Sequence, residues 1–409
     1  MPVGVMMFSW EFPPRIIGGI APHVYELSRA LARKGVLVFV VTCDFPGAPD
    51  YEVIDGVRVY RVDSYRFPTP DFATWTSMMN VNMQIKATEI LANVRDKIHI
   101  LHAHDWLVAN AAIGLKHLFR LPLLATIHST EYGRRKGIHD DYQRMIASTE
   151  AWLVKEAWRI ICCSKYMIQE VNKALHGPED KMDIIPNGIN TRPFETNYDK
   201  DAFRTRFVRD SKKIVLYVGR LVHEKGVSIL VESIPKVLQK VNAEFIIVGE
   251  GYMKDELTKR VNQMGVSNKV QMLGFLDTET VRLLFRSVDV CVIPSLYEPF
   301  GIVALEAMAA RTAIVTTGTG GLSEILQHNK TAVFASPTAG SLAAAICRVL
   351  KDESYADSLR KLAYERVISI FRWDAIAAST LRVYKRIIKE YGGGSWKIQP
   401  IKSSSDNHA

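Results

Sequence analysis

Short apolar runs that read as strands alternate with stretches of helical period along the whole chain, and midway the alternation stops and restarts. That order builds parallel sheets covered by helices on both faces. VGVMMFS, LVFVVT, IHILHAH, LPLLATIH, RIICCS and DIIPN read as strands of a first set, with helices over Val24 to Lys34, Val108 to Phe119 and Tyr142 to Ala157. KIVLYVG, AEFIIVG, KVQMLG, VCVIPS, AIVTTG and TAVFAS form a second set, separated by helices near Ile229 to Lys240, Met253 to Met264, Thr278 to Ser287 and Val303 to Ala310. The segment NTRPFETNYDKDAFRTRFVRDSKK between the sets is polar, turns at Arg192-Pro193 and reads as a connection. The expected organisation is therefore α/β, with two doubly wound domains over 1–192 and 193–373. A helix over 374–391 is expected to pack back on the first domain, and the polar tail 392–409, opening on three glycines, to be mobile.

Composition removes several alternatives. Of 409 residues, 48% are hydrophobic and 23% charged, which excludes a disordered or fibrous chain. No run of 18 uncharged apolar residues is present, so a membrane span is not expected. The opening MPVGVMMFSWEFPPR has no basic region before its apolar run and reads as a buried strand rather than a signal peptide. Cys43, Cys162, Cys163, Cys291 and Cys347 show no CxxC spacing, which suits reduced thiols in the cytoplasm. The formal charge of +9 is spread without a basic block, favouring anionic ligands or a membrane surface over nucleic acid.

In open α/β sheets ligands bind beyond the carboxyl ends of the strands. After the first strand, Gly18 and Gly19 precede a helix, where backbone can approach an anion or simply make a tight turn. No GxGxxG or GxxxxGK[ST] motif is present. LHAHDWL gathers His102, His104, Asp105 and Trp106 at another strand end. A metal reading there lacks a third ligand group, and Asp105 serves either as a helix cap or as a contact to a polar ligand. His128 ends the following strand, and Arg134, Arg135 and Lys136 beyond it read as a solvated face.

The second set is richer. VLYVGRLVHEKG places Arg220 and Lys225 five residues apart at a strand end, a pairing suited to a diphosphate leaving group. In VCVIPSLYEPFGIVALEAMAAR, Glu298 lies in the loop and Pro299 is expected to open a helix whose first turn, Phe300, Gly301, Ile302 and Val303, offers free amides. Glu306 follows deeper along that helix, so the two carboxylates can meet separated parts of one elongated ligand. Gly249, Glu250 and Gly251 form an edge where a flat base can lie over backbone, and Gly318, Gly320, Gly321 and Glu324 form another glycine-rich strand end. Together these ends argue for a large phosphorylated, nucleotide-like ligand.

In this order GGI, HAHDW, a strand-end histidine, PNGIN, VGRLVHEKG, VGEG and EPFGIVALEAMA resemble the retaining glycosyltransferases of family 4 over nearly the whole chain. The resemblance implies the GT-B fold: two Rossmann-like doubly wound parallel-sheet domains facing a central cleft, the first for the acceptor and the second for the nucleotide-sugar donor. It also implies that Arg220 and Lys225 bind the donor diphosphate, Glu298 the donor sugar, the amides of Phe300 to Val303 sugar and phosphate, and Glu306 the ribose. Gly18 and Gly19 would approach the donor phosphates, His128 the donor sugar, and Asp105 matches an aspartate near the active site of glycogen and starch synthases. Gly249 and Gly251 complete the donor set.

Glycogen and starch synthases are the most similar members in motif. The implied reaction is a metal-independent, retaining transfer of a hexosyl group, glucosyl by preference, from ADP- or UDP-glucose to a glucan, oligosaccharide or sugar phosphate. No cofactor, metal or nucleic acid is expected. One departure is evident: Ile16-Ile17-Gly18-Gly19 stands where bacterial synthases carry Lys-Thr-Gly-Gly, and Arg15 is the nearest cation. The alternatives are a peripheral membrane transferase acting on a lipid-linked acceptor, with FATWTSMMNVNMQIKATEIL as contact segment, and a non-catalytic nucleotide-sugar-binding protein.

Overall fold

Two sheets, parallel but for one edge strand of the first, account for every named strand in the computed structural model, which describes residues 2–64, 68–208 and 212–392. The tail expected to be mobile therefore lies outside the described residues beyond Gly392, as do residues 209–211 of the connection. The first sheet contains β1 (Gly4–Phe8), β2 (Leu37–Cys43), β3 (Tyr51–Ile54), β4 (Val57–Val62), β5 (Ile100–His104), β6 (Leu123–Ile127), β7 (Arg159–Cys162) and β8 (Met182–Ile184). Their order is β3-β4-β2-β1-β5-β6-β7-β8. The second contains β9 (Lys213–Val218), β10 (Ala243–Val248), β11 (Val270–Gly274), β12 (Val290–Ile293), β13 (Ala313–Thr316) and β14 (Val333–Phe334), in the order β11-β10-β9-β12-β13-β14. β1, β5, β6 and β10 are buried along their whole length, because helices cover both faces and leave no strand side for water.

The strand order reverses between β1 and β5 in the first sheet and between β9 and β12 in the second. Each reversal opens a crevice at the carboxyl edge, the favoured place for a ligand in this architecture.

Two strands were not expected. β3 and β4 form an antiparallel edge hairpin around Asp55-Gly56, both with positive φ, 47° and 85°, the backbone of a two-residue hairpin turn. β3 alternates exposed and half-buried positions, so it lacks the continuous apolar run of its neighbours. The Met- and Trp-containing segment is a helix, Phe72–Val94, capped by the Asp71 carboxylate, which accepts from Thr74 N at 2.7 Å. Met79 and Met83 are buried in the core on it, and Met78 is half-buried. Three further helices, Lys165–Leu175, Ala339–Lys351 and Glu353–Ile370, complete the covering layers.

The last helix, Trp373–Gly392, crosses back to the first sheet, where Trp373, Ile376, Val383, Tyr384 and Ile387 join a cluster with Val5, Met7, Val24, Ile100 and Leu124. Among the described residues no helix is long and apolar enough to cross a membrane.

Candidate active site

At the crevice of the second sheet, the loop after β9 turns through a short helical segment, His223–Lys225, and aims Lys225 at the loop after β12. Lys225 Nζ donates to Glu298 Oε2 at 2.7 Å, and Ser295 Oγ donates to the same oxygen at 3.1 Å. Arg220 is half-exposed and donates to Glu224 at 3.2 Å, so it stands at the rim while Lys225 stands deeper. Gly249 and Gly251 belong to the neighbouring loop. A Cβ on Gly249 would lie 2.0 Å from Gly219 O, and one on Gly251 2.3 Å from Leu221 O. These glycines let the loop after β10 lie directly on the Arg220 loop, so their first task is to stack backbone on backbone.

The helix after β12 begins at Ile302, not at Pro299. Gly301, with φ 109°, lies in the left-handed region and interrupts helical geometry just before it. Ile302 and Val303 thus hold the first-turn amides, and Phe300 is buried against Phe371. Glu306 lies about one turn, ~6 Å, below the helix start rather than two turns. Burial lifts its carboxyl to about 7, against the pull of Arg282.

The first sheet brings its own crevice against this helix. Glu11 is buried, and its Oε2 accepts from the amides of Ile17 at 2.6 Å and Gly18 at 2.9 Å, folding the loop that carries the two glycines. Gly18 therefore spends its amide inside the first domain. Gly19 meets the second domain: a Cβ there would fall 2.8 Å from Ile302 Cδ1, the end of a side chain that would have to turn aside. Arg15 is buried over the rings of Trp10 and Trp75, 5.5 and 5.7 Å from their centroids, and does not replace the synthase lysine.

Asp105 adopts φ 62°, which turns its carboxylate back so that Oδ1 accepts the His128 amide at 2.7 Å. Burial raises that carboxyl to about 6. Asp105 thus fixes the half-buried strand end that presents His128 instead of capping a helix. His128 itself belongs to a cluster. His104 Nδ1 lies 3.2 Å from His128 Nε2, and the His23 ring is 4.7 Å from that of His128 and 5.4 Å from that of His104. Burial holds His23 and His104 well below the usual histidine range and lowers His128 to about 4, so all three rings are neutral at ordinary pH. His102 stacks beside them but has both nitrogens bonded, to Tyr384 Oη at 2.9 Å and Thr126 Oγ1 at 2.7 Å.

Contacts between the halves were the least visible in the sequence. Glu324, expected on a ligand-binding loop, instead accepts the amides of Lys165 and Tyr166 at 2.9 Å each and caps a helix of the first half. Ser164 Oγ donates to Pro299 O at 2.7 Å, and Tyr297 Oη to Glu170 at 2.6 Å. Arg134, expected to be solvated, is mostly buried between Glu131 and Glu150 at 2.9 and 3.2 Å. Glu11, His23 and Glu170 were not anticipated. The helical offset of His23 from Gly19 was the one local signal, placing it on the helix face behind that loop.

Residues 17–192 match the family described as Glycosyltransferase Family 4, and residues 199–366 the family described as Glycosyl transferases group 1. An uncharacterised glycosyltransferase of Methanocaldococcus jannaschii is 40% identical over 95% of this chain and 99% of its own length. A glycogen synthase of Mycobacterium tuberculosis is 36% identical over 93% of this chain and 94% of its own. The sucrose-phosphate synthase structure from Thermosynechococcus elongatus superposes with a TM-score of 0.82 at 24% identity, covering 95% of this chain and all of that one. That likeness is one of fold, the GT-B pair of Rossmann-like domains.

Proposed function

The chain belongs to the group 1 glycosyltransferases, and on that premise we propose that it moves a glucosyl group from ADP- or UDP-glucose to a carbohydrate acceptor with retention at the anomeric carbon. The reaction is of the glycogen synthase kind. The observation that carries the reading is the Lys225–Glu298 pair, 2.7 Å apart across the crevice of the second sheet. A donor placed there meets the ammonium with its diphosphate and the carboxylate with its sugar hydroxyls, so the two parts of one ligand take over both partners.

Arg220, Lys225 and the amides at Ile302 and Val303 neutralise the departing diphosphate, the service a divalent ion performs elsewhere. The bond from C1 to the phosphate oxygen breaks with its electron pair leaving on the phosphate. The acceptor oxygen bonds to C1 on the same face, and its proton passes to the departing phosphate oxygen. No dedicated base is needed. Glu306 receives the ribose, Gly249 and Gly251 form the floor for the base, and His128, fixed through Asp105, touches the donor sugar. Gly19 against Ile302 closes the cleft over the donor and excludes water. The five described cysteines are all free and buried, which suits a reducing cytoplasm.

A screen of ADP-, UDP- and GDP-sugars against glycogen, maltose, glucose 1-phosphate and lipid acceptors, with anomeric analysis of the product, tests this directly. Lys225→Ala is expected to lower turnover by about 10²–10³-fold while the chain stays folded. Near-normal turnover would sink the assignment, and a panel with neither transfer nor donor hydrolysis would leave a nucleotide-sugar-binding protein.

One observation favours a lipid-linked acceptor as second reading: Ile85 and Leu118, 54% and 66% exposed, flank a groove between two helices of the first domain. Flotation with anionic liposomes separates the readings, since a glucan synthase stays with the supernatant.

A further inference from the structure

Three histidines from three separate elements meet at the floor of the first crevice: His23 from the helix Ile20–Arg33, His104 from the end of β5, and His128 just past β6. One nitrogen from each ring lies within 4.8 Å of the other two. His23 and His104 are 5% and 0% exposed, and the Nε2 atom of each is buried without a hydrogen-bond partner in the protein. Asn187 Oδ1 lies 2.7 Å from His23 Nδ1. An amide oxygen only accepts, so Nδ1 carries the hydrogen and Nε2 keeps its lone pair. That is how a second layer orients a metal-binding histidine.

One separation already matches the chemistry, that from His104 Nδ1 to His128 Nε2. Two ligands at ~2.0–2.1 Å from a tetrahedral ion stand about 3.3 Å apart, and the His104 and His128 nitrogens stand at 3.2 Å. An ion held by His104 Nδ1, His128 Nε2 and His23 Nε2 would replace that imidazole contact and supply the partner that His23 Nε2 lacks, once His23 moves in to close the remaining gap, while His104 Nε2 carries its ring hydrogen. Neutral imidazoles select a borderline dication such as Zn2+ over Mg2+ or Ca2+, which prefer oxygen. His102 is excluded as a ligand, its two nitrogens being bonded already. His128 is the half-buried member of the three, so an ion would enter from its side and a water would complete four-coordination.

We propose that His23, His104 and His128 form a binding site for one Zn2+-class dication at the floor of the cleft. The ion occupies the imidazole of His128 and thereby opposes sugar transfer. This consequence rests on the reading of His128 given above, whereas the binding does not.

Titrating the metal-free full-length chain with Co2+ tests the site by visible absorption. The expected result is the intense band of four-coordinate Co2+ at one ion per chain, erased by one equivalent of Zn2+. His104→Gln and His128→Gln should each weaken the ion at least tenfold, and Asn187→Ala about 10–100-fold. Should His104→Gln not fold, His128→Gln, altered at a half-buried position, carries the test alone. No stoichiometric band, or a band unchanged in folded His128→Gln, would overturn the site. An at least tenfold drop in transfer on adding one equivalent of Zn2+ is expected, and undiminished transfer by the loaded chain would overturn the opposition.

Discussion

Glu306 keeps its proton at a pH where an exposed glutamate has lost it, because burial raises its carboxyl to about 7 and Arg282 offsets only part of that. The folded chain binds a proton that the unfolded chain releases near 4.5, so this group contributes stability that is full below about 4.5 and lost as pH rises through about 7. Glu306→Gln keeps the shape without the titration. The melting temperature of the parent should therefore fall relative to the variant between pH 5 and pH 8, by a few degrees for a chain of this size. Parallel curves would show that Glu306 is already solvated and ionised. The donor reading places the ribose on the same carboxylate, so nucleoside diphosphate affinity should rise over that range in the parent and stay flat in Glu306→Gln. At this scale the sequence exposed charged groups placed at strand ends, such as Lys225 and Glu298, but not that these two pair with each other. It hid groups whose partners are backbone amides, which carry no sequence signature: Glu11 reads as an ordinary loop acid until the amides of Ile17 and Gly18 fold onto it.

Helix Lys165–Leu175 owes part of its start to the other half of the molecule. Ser164 caps Met167 N at 3.1 Å in the local manner, but the amides of Lys165 and Tyr166 both go to Glu324. A carboxylate there meets the positive end of the helix as well as two free donors. Glu324→Ala removes a cap worth about 0.5–2 kcal/mol and a tie between the halves. It is expected to raise hydrogen exchange at residues 165–167 and to lower turnover more than it lowers the melting temperature. Exchange that stays at the parent rate would place the closure elsewhere. The same borrowing explains what was legible among the elements. β1, β5, β6 and β10 announce themselves because both faces are buried and their apolar runs are continuous. β3 is an exposed edge whose clue was the Asp55-Gly56 turn alone, and helix Phe72–Val94 carries Val81 and Ile85 on its outer face as well as Met79 and Met83 inside, which blurs its period.

The chain crosses between its two halves twice, and the crossings lie side by side. Ile189, on the outgoing segment, donates its amide to Phe371 O at 2.8 Å, and an isolated bridge pairs Ile189 with Arg372 on the return. Two adjacent strands of backbone make a narrow crossing, the hinge about which any closing of the two crevices would turn. The return crossing is also structural. Helix Trp373–Gly392 covers the first sheet, and Tyr384, fully buried in that cluster, bonds to His102 on β5 at 2.9 Å. The first half therefore completes its core with the last helix of the chain, and its stability cannot be separated from the hinge. Tyr384→Ala opens a cavity of aromatic size and leaves His102 Nδ1 unpaired, a loss of about 3–5 kcal/mol. Tyr384→Phe, which keeps the ring, should lose about 1 kcal/mol. Denaturant unfolding of both variants checks the pair, with tryptophan fluorescence reporting on Trp373 and Trp158 near that helix. If Tyr384→Ala unfolds with the parent midpoint, the returning helix is an ornament on a self-sufficient domain and closure needs no coupling to it. If it unfolds early and takes β5 with it, the element that fixes the hinge is also the one that holds the histidine strand in place.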